Sequence, residues 1–180
     1  MRTWITSDIH FGHKKILEYY PKTRLQFGSN VEEMDLGLID AWNQVISPQD
    51  KIFILGDISF YGLEKTIAIV NQLYGQKHLI LGNHDFKLAK QPKFISLFES
   101  VDHYFETKFN KDLVVMMHFP IADWNHMQRG SIHFHGHCHG AFNGLRPCRA
   151  LDVGVDATGR IAVEIEEMIE LAKTLPVLPH

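Results

Sequence analysis

Residues 51–57, KIFILGD, and residues 77–85, KHLILGNHD, are two short apolar runs, each stopped by a glycine with a carboxylate or amide directly behind it. Continuous runs without polar alternation are the pattern of strands covered on both faces. Outward from these two, residues 2–7 (RTWITS) lead into Asp8-Ile9-His10, and residues 113–117 (LVVMM) lead into His118-Phe119-Pro120. A fifth strand over 131–135 runs into Gly136-His137-Cys138-His139. Residues 151–156 and 161–165 read as two further strands around the turn Ala157-Thr158-Gly159. Between the strands lie helical stripes: Val31, Met34, Leu38, Trp42 and Val45, then Leu63, Ile67, Val70 and Leu73. Ser29 and Glu32 have the spacing of a capping box before the first stripe, and Pro48 follows its end. A shorter helix is predicted over 93–99 and a last one near 166–173, with the tail TLPVLPH loose. Strands alternating with helices predict an α/β fold with a largely parallel sheet. Such folds bind ligands beyond the carboxyl ends of their strands.

With no repeat, low-complexity tract or linker, the sequence reads as a single domain over 1–180. Its 45% hydrophobic and 22% charged residues exclude disordered and fibrous classes. The net charge of −3, with no block of like charge, argues against a dedicated nucleic-acid or membrane-surface binder. No apolar run approaches the ~20 residues of a membrane span. The opening MRTWITSDIH meets Asp8 too early for a signal-peptide core, and Cys138 and Cys148 are too few for a disulfide framework. Both features predict a cytoplasmic protein. Twelve histidines are a surplus, and six of them lie between residues 118 and 139, which locates the chemistry.

Asp8, His10, Asp57, Asn83, His118, His137 and His139 all fall where a predicted strand has just ended. The i, i+2 pairs Asp8/His10 and His137/His139 can converge on a cation from an extended loop. Mixed imidazole and carboxylate donors suit Zn²⁺, Mn²⁺, Fe²⁺ or Ni²⁺. Seven donors exceed the needs of one tetrahedral ion and fit two ions sharing a bridge. Two such ions ~3.5–4 Å apart clamp the attacking and leaving oxygens of an in-line displacement at phosphorus.

The order D-x-H, GD, GNHD, H, GHxH, spanning residues 8 to 139, resembles the calcineurin-like metallophosphoesterase superfamily. The resemblance implies two packed mixed β-sheets flanked by helices. It implies Asp8, His10, Asp57 and His139 as ligands of one divalent ion, and Asp57, Asn83, His118 and His137 as ligands of the other, Asp57 bridging. His84 matches the catalytic histidine that serves the leaving oxygen, with Asp85 orienting it. The implied reaction is in-line attack on phosphorus by a hydroxide bridging the ions, His84 acting as general acid. The phosphoprotein-phosphatase branch carries an arginine soon after GD and reads GNHE. Here GDISFYG has no arginine and the motif is GNHD, which places the chain nearer the phosphodiesterase-type branches. Asp8-Ile9-His10-Phe11-Gly12-His13 is similar to small bacterial and phage-type members. The expected substrate is a small phosphodiester, a nucleotide or an exposed nucleic-acid end. Mn²⁺ is the expected metal, with Fe, Zn or Ni as alternatives.

The rival readings are a phosphomonoesterase using the same metals, a nuclease, for which the weak basicity is unfavourable, and a non-enzymatic metal-binding scaffold. The last expects missing ligands, and this set is full. His13, Arg146 and Arg149 are predicted substrate contacts. His133 and His135 share one strand face, with core or supporting roles expected, and Cys138, Phe11 and Trp124 are read as packing residues. Lys87, Lys90 and Lys93 read as a solvated helix face, and an uncovered apolar face is compatible with a homodimer. P-loop, G-x-G-x-x-G, H-E-x-x-H and G-x-S-x-G patterns are absent, which removes kinase-like, hydride-transfer, zincin and serine-hydrolase readings.

Overall fold

The computed structural model describes residues 1–141 and 148–178. In chain order it contains β1 (Thr3–Thr6), α1 (Ile16–Tyr19), α2 (Pro21–Arg24), α3 (Val31–Val45), β2 (Lys51–Ile54), α4 (Leu63–Val70), β3 (Gln76–Ile80) and α5 (Pro92–Ile95). There follow β4 (Ser100–Asp102), β5 (Tyr104–Phe109), β6 (Asp112–Met117), β7 (Ile132–His135), β8 (Ala150–Asp152), α6 (Val155–Thr158), β9 (Val163–Glu164) and α7 (Ile165–Lys173). Two mixed sheets form, ordered β4-β3-β2-β1-β9 and β5-β6-β7-β8. In the first, β1 to β4 are parallel and β9 pairs antiparallel with β1. In the second, β6, β7 and β8 are parallel and β5 is antiparallel to β6.

The continuous apolar runs are explained by a core on each face of the first sheet. Trp4, Ile52, Ile54, Leu79 and Leu81 face a layer with α3 and α4, while Ile5, Phe53, Leu55 and Ile80 face the second sheet. Successive side chains alternate between these layers, as the period-2 pleat requires. Val114, Met116, Ile132 and Phe134 close the inter-sheet core from the other side, joined by Ile165, Met168, Ile169 and Ala172 of α7. Each fully buried apolar side chain contributes about 1.5–3 kcal/mol. Along α3 the buried stripe is Val31, Met34, Leu38, Ile39 and Trp42, whose indole Nε1–H donates to the Tyr74 carbonyl at 2.9 Å. Among the described residues no helix is long and apolar enough to cross a membrane.

The cap of α3 sits one residue later than expected. Asn30, with extended backbone at φ −136° and ψ 173°, accepts the Glu33 N–H at 2.9 Å, and Glu33 reaches back to the Ser29 N–H and hydroxyl. Residues 155–158, read as strand and turn, form the single helical turn α6, which ends at Gly159 in left-handed conformation, φ 69°. The 93–99 helix is reduced to α5. β4 and β5 are additions. β5 is an edge strand with every second residue exposed, so YFETKF carries no continuous apolar signal. The four-residue α1 and α2 are too short to show a helical period.

Candidate metal centre

The carboxyl ends of β1, β2, β3, β6 and β7 meet along one rim, and the loops leaving them are stitched together by backbone. The Asp8 N–H donates to the Gly56 carbonyl at 3.1 Å, His10 to Asp57 at 3.1 Å, and Phe11 to Ile58 at 2.9 Å. Asp8, His10, Asp57, His137 and His139 all have left-handed backbones, with φ of 55°, 59°, 54°, 69° and 49°. For residues bearing a Cβ this costs on the order of 1–3 kcal/mol each and persists only where surrounding contacts over-determine it. Gly56, at φ +92°, lets the β2 loop cross directly against the backbone of Gly82, leaving no space for a Cβ.

Among the described residues, two groups hold potential ligand atoms within 4.8 Å of one another: Asp8, His10 and His139, and Asp8, Asp57 and His118. Asp8 Oδ1 lies 3.5 Å from His10 Nε2 and 3.7 Å from His139 Nε2. Asp57 Oδ2 lies 3.6 Å from His118 Nε2 and 3.9 Å from both His10 Nε2 and His84 Nε2. His118 Nδ1 faces the Leu55 carbonyl at 2.6 Å, so in the neutral ring it carries the proton. The Nε2 lone pair then points at Asn83 Oδ1, 3.0 Å away. Asp8 Oδ1 and both ring nitrogens of His10 are buried without any hydrogen-bond partner. Acceptors facing acceptors, and buried polar atoms left unsatisfied, are costly arrangements that a cation relieves. The donor set therefore fits divalent ions. The His137 ring sits outside both groups, its centroid 5.1 Å from that of His118, while its backbone N–H donates to Asp8 Oδ2 at 2.9 Å.

The electrostatics follow the same map. Burial alone would raise the Asp8 carboxyl, but the imidazoles of His10, His118 and His139 beside it bring it down to about 2. Burial lowers His10 to about 4, against the pull of Asp8. Burial raises Asp57, reinforced by the charge of Asp8. Burial opposes protonation of His139, but Asp156 and Asp8 outweigh it and raise the ring.

His84 stands at the open side, its side chain 44% exposed, and its backbone N–H donates to Asp57 Oδ1 at 2.9 Å. Asp85 does not orient this ring as expected. Its buried carboxylate accepts from the backbone N–H groups of Gly82, Asp57 and Ile58, so it braces the loops instead. His13 does reach the rim, stacked on Phe60 with centroids 4.2 Å apart. Arg149 does not. It immediately precedes β8, which is parallel to β7, and so lies at the sheet end opposite the rim. Its guanidinium is spent on the carbonyls of Gly130 and Leu175. Arg146 falls outside the described residues. His133 and His135, like Phe11 and Trp124, are buried.

Two contributors carry no sequence signal. Asp156, on α6, lies 2.7 Å from His139 Nδ1, and Arg24, on α2, grips Asp156 and the backbone beside Asp8. They stand outside every motif and are 132 positions apart, so spacing could not have joined them.

Residues 1–137 match the family model described as calcineurin-like phosphoesterase. The chain belongs to that family. It is a family of phosphoric ester hydrolases, and membership together with the two Asp/His groups points to divalent metal ions. The chain is 32% identical to the Gene 66 protein of Mycobacterium phage L5, over 94% of its own length and 93% of the relative's. It is 28% identical to an uncharacterized protein of Methanocaldococcus jannaschii, over 94% and 90%. A crystal structure of a protein of unknown function from Aquifex aeolicus superimposes with a TM-score of 0.71 at 20% identity, covering 94% of this chain and 98% of that one, and shares the fold.

Proposed function

We propose that this family member is a two-metal phosphodiesterase acting on a small phosphodiester, a nucleotide or a nucleic-acid end. The observation that carries the reading is two adjoining Asp/His groups, with buried Asp8 Oδ1 and His10 nitrogens that have no hydrogen-bond partner within the protein. Asp8, His10, Asp57 and His139 would hold one ion, and Asp57, Asn83, His118 and His137 the other. Asp57 is the shared ligand, consistent with an Oδ2 nearly equidistant from His10 and His118. Carboxylate and amide oxygens beside imidazole favour Mn²⁺. When bound, the ions supply a water activated near neutral pH and offset charge on the phosphoryl oxygens. His84, exposed at the rim and 3.9 Å from Asp57, is placed to hand a proton to the departing oxygen. His13 and Phe60 flank that side and would contact the leaving group. The missing arginine in GDISFYG favours diesters over monoesters. Two free cysteines are compatible with a reducing cytoplasm.

The test is the ratio of initial rates on bis-p-nitrophenyl phosphate and p-nitrophenyl phosphate, using chelated protein refilled with Mn²⁺. A Mn²⁺-dependent ratio well above one is expected. A ratio well below one would instead make the protein a phosphomonoesterase, and no turnover with two ions bound would mean a narrow substrate or the scaffold reading.

A further inference from the structure

Arg24 is a fully buried arginine in a chain segment with no motif. Its Nε and Nη2 donate to the two carboxylate oxygens of Asp156, each at 2.7 Å, Nη1 donates to the Ile9 carbonyl at 2.8 Å, and Nη2 donates to the Asp8 carbonyl at 2.6 Å. Asp156 is equally enclosed. It also accepts the Thr23 hydroxyl at 2.6 Å and lies 2.7 Å from His139 Nδ1. Taking both charges out of water is costly, and apolar side chains of the same volume would fill the space at least as stably. What apolar side chains could not do is fix the direction of His139 and of the Asp8–Ile9 peptides.

We propose that Asp156 and Arg24 are positioning residues for the metal position built by Asp8, His10 and His139, an inference that rests on the two-metal reading above. An ionised carboxylate at Nδ1 keeps the ring proton there and leaves the Nε2 lone pair facing Asp8 Oδ1, 3.7 Å away. The same guanidinium that holds this carboxylate anchors the carbonyls of Asp8 and Ile9, on either side of the turn from Asp8 to His10. One cation thus holds both the carboxylate behind His139 and the backbone that runs from Asp8 to His10. The ligands that the two-metal reading gives the other ion, Asp57, Asn83, His118 and His137, do not include Asp8, and His118 takes its orientation from the Leu55 carbonyl.

The experiment compares Asp156→Asn with Asp50→Asn. Asp50 is a buried carboxylate at the far end of the same strands that accepts from the Arg2 and Ser47 N–H groups. Metal content and affinity are measured by titrating Mn²⁺ into chelated protein, and stability by thermal unfolding. Asp156→Asn should bind one of two ions about 10–100-fold more weakly and leave the other unchanged. Asp50→Asn should lose stability and keep both. Two ions at wild-type affinity in Asp156→Asn, or parallel weakening of both in the two variants, would overturn the inference. If Asp156→Asn does not fold, long-range ¹H–¹⁵N spectra of the metal-free wild type decide, at a pH where the rings are neutral. His139 protonated on Nδ1 supports the inference, and protonation on Nε2 defeats it. A wild type that binds fewer than two ions fails the two-metal reading itself, while the tautomer still reports on Asp156.

Discussion

The carboxylate of Asp85 accepts the backbone N–H of Asp57 at 2.7 Å, across 28 residues of chain. It also accepts from Ile58 at 3.1 Å and Gly82 at 2.9 Å, so one buried side chain fastens the loops that follow β2 and β3. Truncation would leave three donors without a partner. Asp85→Ala should therefore cost on the order of 3 kcal/mol or more, with Asp85→Asn, which keeps one acceptor oxygen, in between. Urea unfolding at constant slope measures it. A change in Asp85→Ala within about 0.5 kcal/mol would show that the loops hold without the brace.

His84 contributes to the geometry of Asp57 through its backbone N–H, which alanine retains. Its side chain is half in solvent, so His84→Ala should fold normally and bind its full metal content. Turnover should fall by about 10²–10⁴-fold, and most for diesters with poor leaving groups, where proton donation matters. Rates on a series of aryl diesters make the comparison. A deficit independent of leaving-group basicity would remove His84 from the acid role.

The fold and the rim were legible for one physical reason. Strands buried on both faces must be continuously apolar, and the first polar residues mark where that cover ends, so KIFIL and KHLIL locate Asp57 and Asn83 at the strand ends. Even so, the second sheet came only through family resemblance, because β5 is a half-exposed edge and β8 spans three residues. Family resemblance pairs Asp85 with its sequence neighbour His84, whereas its carboxylate bonds to the N–H groups of Asp57, Ile58 and Gly82. Arg149 was drawn toward the site by its closeness to the GHxH loop. The direction of β8 takes it to the opposite sheet end. Asp156 and Arg24 are joined only by tertiary packing, which no period records.

Gly136 directly follows β7 and lies against Ser7 and Asp8, just past the end of β1. A Cβ there would intrude on Ser7 Oγ and Asp8 Oδ2, and relief would require Asp8 to move. Gly136→Ala should cost about 1–3 kcal/mol in stability, as overpacking does. It should also weaken binding of the ion assigned to Asp8, His10, Asp57 and His139, because Asp8 is one of its ligands in the proposed reading. Metal content after dialysis, read beside the melting temperature, tests this. Wild-type content of both ions would mean that Asp8 is not held through this contact.

The His133 ring is fully buried on β7, and burial, with His135 beside it, lowers its pKa from 6.5 to about 4. The sign of the consequence is fixed by which state takes the proton. Well above pH 6.5 the ring is neutral whether the chain is folded or unfolded, and His133 adds no pH dependence. As pH falls from 6.5 toward 4, the unfolded chain binds a proton that the native ring refuses, so stability declines. The loss attributable to this one group approaches about 3 kcal/mol near its folded pKa and then levels off. Urea unfolding of metal-free protein across that range, for wild type and His133→Phe, isolates the effect. The variant should start less stable, having lost the ring's bond to the Val115 carbonyl, and should then lose less on acidification. Parallel pH profiles would mean that the native ring takes up its proton as readily as the unfolded one.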